Sequence, residues 1–298
     1  MTNEDELHAT QVERFTQDGF VPVINVCTLQ EIQEIRSILA DMFARKVGVK
    51  EGAQFDVLRP DSGDAMTLGQ ITNPSYYEAK LRKTAYTKWA HKTAQQLLGP
   101  KAHRSFDMVL MKPAGTGAAT PWHQDEAYRD ARYDFRELTF WLPLQDVDES
   151  SGCMQFVPGT HLSPVKQHRS PNNDLTSHSL ESCVIPSPGE VMSVPLKVGG
   201  CSVHDGRVLH GSPPNRSDVS RFAYILVFQT PSVPAKDPKS YPWLAEKQNL
   251  DKKRRDQWFR RGGFIILGWR KLVSGELTSL ESFHVAFERC VRLLRGRS

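Results

Sequence analysis

The sequence predicts a mainly β protein with flanking helices, and three observations lead there. From Ser105 to about residue 230 the chain is a series of short β-rich runs, "SFDMVLMKP", "LTFWLPLQDV", "GCMQFVPG", "SCVIPSPGEVMSVPL", "CSVHDG" and "SRFAYILVFQT", broken by Pro and Gly. Regularly spaced short strands with turn signals between them indicate a sandwich or barrel. Within the last run the side chains sort cleanly into two faces, and on either side of this region apolar residues recur at helical steps instead.

Taken in order, "TQVERFTQDGF" reads as helical, and after "VPVINVC" so does "TLQEIQEIRSILADMFARKV". There Leu29, Ile32, Ile35, Ile38, Leu39 and Met42 recur every three or four residues, with Thr28 as N-cap. "KEGAQFDVLRPDSGDAM" reads as a loop, and "SYYEAKLRKTAYTKWAHKTAQQLLG" as a further helix ending on a C-capping glycine. After about residue 231 the chain turns Pro-rich, then basic and helical. The expected organisation is one catalytic domain: a helical region over 1–103, a β core over 104–230 and a basic extension over 231–298.

At 298 residues, 39% hydrophobic and 24% charged, the chain can bury a full core. "MTNEDELHAT" has no apolar leader region, and "FIILGW" and "YILVF" fall short of the roughly 20 residues that span a bilayer. Five scattered cysteines argue against a disulfide framework or a thiolate zinc site, and a cytoplasmic setting is expected. The net charge is +4 overall, but residues 251–298 hold twelve Lys/Arg against five Asp/Glu. No nucleic-acid motif accompanies that excess, so a solvated helical face is preferred to a nucleic-acid surface. In the same tail Phe283, Phe287, Val291 and Leu294 form one helical stripe, which is expected to pack on the β core or to form a homodimer.

The chemistry begins at "PWHQDEAY". In an extended segment residues i and i+2 point the same way, so His123 and Asp125 present an imidazole and a carboxylate together while Gln124 faces away. A two-histidine, one-carboxylate metal site needs a second histidine from another strand. "VHDGRVLHGSPPN" offers His210 and its rival His204, and Arg221, eleven residues past His210, favours His210. Arg221 shares a strand face with Ala223, Ile225 and Val227, while Phe222, Tyr224, Leu226 and Phe228 share the other. An arginine turned into a barrel needs an anion, and a carboxylate ligand bound bidentately would supply one.

With "GCMQFVPGTH" between them, "PWHQDEAY" and "HDGRVLHGSPPN" followed by Arg221 resemble the phytanoyl-CoA dioxygenase family of Fe(II)/2-oxoglutarate-dependent oxygenases, over roughly residues 104–230. The resemblance implies a double-stranded β-helix, the jelly-roll or cupin-like core. It also implies catalytic iron on His123, Asp125 and His210, with the distal carboxylate of 2-oxoglutarate on Arg221. Less directly, it places Trp141 beside the cosubstrate, Ser212 as a donor to the same carboxylate and Thr120 as a polar cosubstrate ligand. The cofactor is then Fe(II), with 2-oxoglutarate and O2 as cosubstrates. The reaction is hydroxylation, or another C–H oxidation, of a small-molecule metabolite, with 2-oxoglutarate converted to succinate and CO2. Asp125 fills the position that halogenating relatives leave to halide, which favours hydroxylation. His161 reads as a turn histidine, and Trp122, Gln124 and Tyr128 as neighbours of the substrate mouth. The alternatives are a non-redox cupin-like metalloenzyme, an isomerase or hydrolase, and a catalytically silent binding module.

Overall fold

The computed structural model describes residues 6–58, 66–115, 118–238 and 240–247, with isolated positions between 253 and 266. The stripe of Phe283, Phe287, Val291 and Leu294, and the homodimer expected of it, lie outside the described residues. Helix α1 (Ala9–Asp18) ends on Gly19, whose φ of 83° is the left-handed conformation that glycine adopts freely. A Cβ there would strike the His161 ring. Strand β1 (Phe20–Val23) follows. Helix α2 (Leu29–Ala44) starts where its cap predicts, with Thr28 Oγ1 accepting the Glu31 N–H at 3.2 Å. It buries Ile32, Ile35, Leu39 and Met42, whereas Leu29, in its first turn, is 59% exposed.

The region expected to be helices and loop contains strands as well. Segments β2 (Gln54–Asp56) and β3 (Gly69–Thr72) pair with each other. Strands this short show too little alternation to be read from sequence. Helix α3 is also shorter than expected, spanning Ala85–Leu98. Two 3-10 turns over residues 74–76 and 79–82 precede it, and Thr84 Oγ1 caps it by accepting the Thr87 N–H at 3.1 Å. The expected C-cap is present at Gly99.

The core strands are β4 (His103–Lys112), β5 (Thr120–His123), β6 (Glu137–Pro143), β7 (Met154–Val157), β8 (Met192–Val194), β9 (Cys201–Asp205), β10 (Leu209–Ser212) and β11 (Arg221–Gln229). "SCVIPSPGEVMSVPL" is not one strand. Between a two-residue strand at Glu181–Ser182 and β8, Ile185 is 77% exposed, because Pro186 and Pro188 cannot donate to a ladder.

Among the described residues the core is two antiparallel sheets, one of seven strands ordered β1-β9-β6-β11-β4-β3-β2 and one of four ordered β8-β7-β10-β5. Alternation in β11 divides the core as the sequence indicates. Phe222, Tyr224, Leu226 and Phe228 join Ile32, Ile35, Leu39, Tyr86 and Trp89 of α2 and α3 in one apolar cluster. Ala223, Ile225 and Val227 join Trp141 of the same sheet and Met154, Phe156 and Val194 of the smaller sheet in another. Helices therefore cover one face of the large sheet, and the small sheet covers the other. The described cysteines are free, and no described helix is long and apolar enough to cross a membrane.

Candidate metal centre

Strands β5 and β10 pair antiparallel with His123 opposite His210, which brings their ring centroids to 4.2 Å. Gln124 keeps extended backbone, φ −120° and ψ 130°, before the chain enters a 3-10 turn at Asp125. The expected alternation therefore holds as far as the carboxylate. His123 Nε2 and His210 Nε2 lie 3.6 and 3.7 Å from Asp125 Oδ1. Each histidine commits Nδ1 to a backbone carbonyl, His123 to Pro121 at 2.7 Å and His210 to Val208 at 2.9 Å. That fixes the tautomer and leaves each Nε2 lone pair free to bind a metal. The ligand atoms of His123, Asp125 and His210 lie within 4.8 Å of one another, a set that could hold a metal ion.

The other carboxylate oxygen is held from behind. Thr139 Oγ1 on β6 donates to Asp125 Oδ2 at 2.6 Å. His204, paired with Thr139 across β9 and β6, places Nε2 3.5 Å from the same Oδ2. The rival histidine thus faces the other carboxylate oxygen, with its ring centroid 4.5 Å from that of His210, and the set whose ligand atoms all lie within 4.8 Å of one another is His123, Asp125 and His210. Burial pushes the Asp125 carboxyl up, but His210, His123 and His204 more than reverse this and hold it well below the usual carboxylate range. Burial, reinforced by His123 and His204, keeps His210 well below the usual histidine range. An ionised carboxylate facing a neutral imidazole is the protonation state that metal ligation requires.

Gln124 is not at a substrate mouth. It is buried, donating from Nε2 to Arg207 O at 2.6 Å and accepting the Lys166 N–H at 2.7 Å. Its own N–H donates to His168 Nε2 at 3.1 Å, and His168 Nδ1 in turn donates to Lys166 O at 2.8 Å. Burial lowers the His168 pKa to about 4, so the ring stays neutral and can accept. None of these three interactions had a signal in the sequence, because the partners lie 42 to 83 residues from Gln124 and share no period with it. Trp122 packs beside Gly211 on β10, and His161 is buried in its turn with Nε2 on Thr16 O at 3.1 Å.

Arg221 is buried at the start of β11, with Cζ 5.3 Å from the Trp141 ring centroid. Its Nη2 reaches Ser212 Oγ at 3.5 Å, while Nε and Nη1 have no partner. Burial pulls the guanidinium down to about 10. Ser212 donates its hydroxyl to Thr120 Oγ1 at 3.1 Å, so the three residues form one connected group. A buried arginine with two unsatisfied donor nitrogens fits an anionic ligand. Ser212, two residues past His210, and Thr120, three before His123, tie that position to the candidate metal ligands.

His123 and Asp125 also line a cavity of about 710 Å³. Phe106, Met108 and Leu110 of β4 supply an apolar wall, and Tyr128, Tyr241 and Leu244 line it further. The cations on its wall are already engaged. Arg129 donates to both oxygens of Glu137 at 2.8 and 2.7 Å, Arg132 pairs with Asp130, and Lys247 Nζ caps the carbonyls of Ser177, His178 and Ser179. One side is closed by α4 (Pro242–Glu246), which Trp243 anchors by donating to Ala127 O at 3.0 Å.

Comparison with known proteins adds three likenesses and a family. The phytanoyl-CoA dioxygenase (PhyH) family pattern matches residues 15–223. The probable alpha-ketoglutarate-dependent hypophosphite dioxygenase of Stutzerimonas stutzeri is 25% identical over 222 residues, covering 72% of this chain and 76% of its own length. Phytanoyl-CoA dioxygenase domain-containing protein 1 of Danio rerio is 25% identical over 165 residues, 52% of this chain and 53% of the relative, so the chain spans about half of that protein. The crystal structure of EvdO2 from Micromonospora carbonacea var. aurantiaca complexed with 2-oxoglutarate superposes with a TM-score of 0.69 at 28% identity, covering 80% of this chain and 96% of that one.

Proposed function

The chain belongs to the phytanoyl-CoA dioxygenase family, and on that premise we propose that it hydroxylates an organic small molecule at a C–H bond, on a jelly-roll core. Fe(II) is the metal, and 2-oxoglutarate and O2 are the cosubstrates. In this reading His123, Asp125 and His210 hold the iron, Arg221 takes the distal carboxylate of 2-oxoglutarate, and Ser212, Thr120 and Trp141 shape that end of the pocket. The observation that carries it is the linkage, through Ser212 and Thr120, of a metal-competent triad to a buried arginine with unpartnered nitrogens. A non-redox metalloenzyme would leave that arginine without a function.

Bound iron supplies the oxidation: 2-oxoglutarate loses CO2 and becomes succinate with one atom of O2, and the other atom enters the substrate C–H bond. The chain's own residues prepare for it. The Nδ1 bonds of His123 and His210 aim their Nε2 atoms, and Thr139 holds Asp125 Oδ2 so that Oδ1 faces the histidines. Trp141 and Ile225, both buried, keep water from the interior. Phe106, Met108 and Leu110 present an apolar wall to the substrate.

About 710 Å³ lies in the range that takes a drug-sized ligand. With the described cations of the wall engaged, this favours an uncharged organic molecule of that size. Hypophosphite, named for the Stutzerimonas relative, would leave most of the space empty. The test is anaerobic reconstitution followed by succinate measurement. About one equivalent of Fe(II) should bind, and His123→Ala, Asp125→Ala and His210→Ala should each abolish succinate formation while keeping the fold. Activity that survives in His210→Ala and disappears in His204→Ala would move the third ligand to His204.

A further inference from the structure

The β5 ladder ends at His123, and the next backbone N–H, that of Gln124, goes to a side chain: His168 Nε2 accepts it at 3.1 Å. Gln124 is 0% exposed and His168 2%, so without that acceptor the N–H would be buried and unpaired. His168 Nδ1 donates to Lys166 O at 2.8 Å, which fixes the tautomer and leaves the Nε2 lone pair to Gln124. The backbone of His168 is held in turn by pairing with Ser182. Its ring centroid lies 5.5 Å from that of Trp243, whose Nε1 donates to Ala127 O at 3.0 Å.

These contacts converge on one short segment. Gln124 stands between two candidate metal ligands, and its extended backbone is what turns His123 and Asp125 the same way. Its side chain is tied to Lys166 N and Arg207 O. Glu126 donates its N–H to Gly206 O at 2.9 Å. Gly206 and Arg207 lie between β9 and β10, on the way to His210. The peptide joining His123 to Gln124 has a single hydrogen-bond donor, and His168 holds it. Rotation of that peptide would change ψ of His123 and φ of Gln124, and with them the angle at which imidazole and carboxylate converge.

Resting on the metal-centre reading above, we propose that His168 is a positioning residue for the metal centre: by accepting the Gln124 N–H it fixes the peptide between His123 and Asp125 and so sets how their ligand atoms converge. It acts through Gln124, not by ligation. Trp243 packs on its ring and bonds the turn that begins at Asp125, so α4 braces the same segment.

The test is anaerobic Co(II) titration of the full-length protein, read by the visible ligand-field bands, whose position and intensity report coordination geometry. Two substitutions divide the ring between them. His168→Asn places an amide where Nδ1 stood, so it keeps a donor for Lys166 O and loses the acceptor for Gln124. His168→Gln places an amide oxygen where Nε2 stood and keeps that acceptor. His168→Asn should weaken Co(II) binding about tenfold and alter the bands at saturation, whereas His168→Gln should stay within about twofold and keep them, tenfold being the lower end for residues that orient metal ligands. His168→Leu lacks both functions and should match His168→Asn, which provides a second variant should that one not fold. Tyr224→Phe, destabilised in the helix-facing core, should keep affinity and bands.

Wild-type affinity and bands in the Asn and Leu variants would overturn the role of His168. So would equal loss in the Asn and Gln variants, because the acceptor would then not be what matters. A loss of the same size in Tyr224→Phe would overturn it too, since lowered stability alone would account for the effect. No saturable Co(II) binding by the wild-type protein, or binding undiminished by His123→Ala and Asp125→Ala, would overturn the metal-centre reading itself.

Discussion

Thr139→Val changes one hydroxyl into a methyl at a buried β-branched position, so strand geometry and volume are preserved while Asp125 Oδ2 loses a donor at 2.6 Å. A hydrogen bond to a charged group contributes about 1.5–3 kcal/mol. Expressed wholly as lost preorganisation of Asp125, that is about 10- to 100-fold in metal affinity, the range found for partners that orient metal ligands. His204 Nε2, 3.5 Å from the same oxygen, is the nearest substitute donor, which places the expected loss toward the lower end. The assay is anaerobic Fe(II) titration against a chromophoric chelator, with circular dichroism to confirm the fold. Thr139→Ser retains the hydroxyl and should bind iron nearly as the wild type does. Equal affinity in the Val and Ser variants would refute the idea that Thr139 aims the carboxylate.

Other variants read out different parts of the molecule. The pKa of His168 falls from 6.5 to about 4 on folding, so below pH 6.5 the unfolded chain gains a proton that the folded chain does not. Its stabilising contribution is complete above about pH 6.5 and is lost, by about 3 kcal/mol in total, as pH falls toward 4. Urea unfolding of the metal-free protein should therefore show a shallower pH dependence in His168→Gln than in wild type over that window, and parallel curves would contradict it. Tyr224 donates to Asp107 Oδ2 at 2.8 Å in the helix-facing core. Tyr224→Phe should cost about 1–3 kcal/mol of stability without altering iron affinity, and a change in affinity would mean that the two sites communicate. Trp243→Phe keeps an aromatic side chain, smaller than the indole, and removes the bond to Ala127 O. A loss of about 1 kcal/mol should speed amide exchange across 243–247 about fivefold, and unchanged protection would show that α4 is held by other means.

The parts of the site carried by alternation within one strand were legible in the sequence. His123 and Asp125 fall on one side across an extended Gln124, and Arg221 falls opposite Phe222 and Tyr224, because a two-residue period survives folding. Thr139 could be placed on the face of Trp141, but its bond to Asp125 depends on how far β6 lies from β5 in space. Gln124 and His168 meet through loops whose course no local pattern records. The same limit explains β2 and β3, where three and four residues pair with distant chain and leave little periodicity behind.

The family match ends at residue 223, yet α4 and its neighbours, including Ser240, Tyr241, Leu244 and Lys247, form a wall of the cavity above His123 and Asp125. One part of the cavity wall thus lies beyond the stretch that the family pattern covers, while Phe106, Met108 and Leu110 lie within it. Strands β5 and β10 pair with His123 opposite His210, so on the proposed reading a substitution there alters the reaction itself. Among the described residues, Val233–Pro234 pair with Tyr133–Asp134, Trp243 donates to Ala127, and Lys247 to residues 177–179. On the proposed reading, residues 240–247 can be exchanged while His123, Asp125 and His210 stay in place. For an engineer, the region to randomise in search of a new substrate is 240–247, with Trp243 and Lys247 kept as the hinges on which replacement walls are hung.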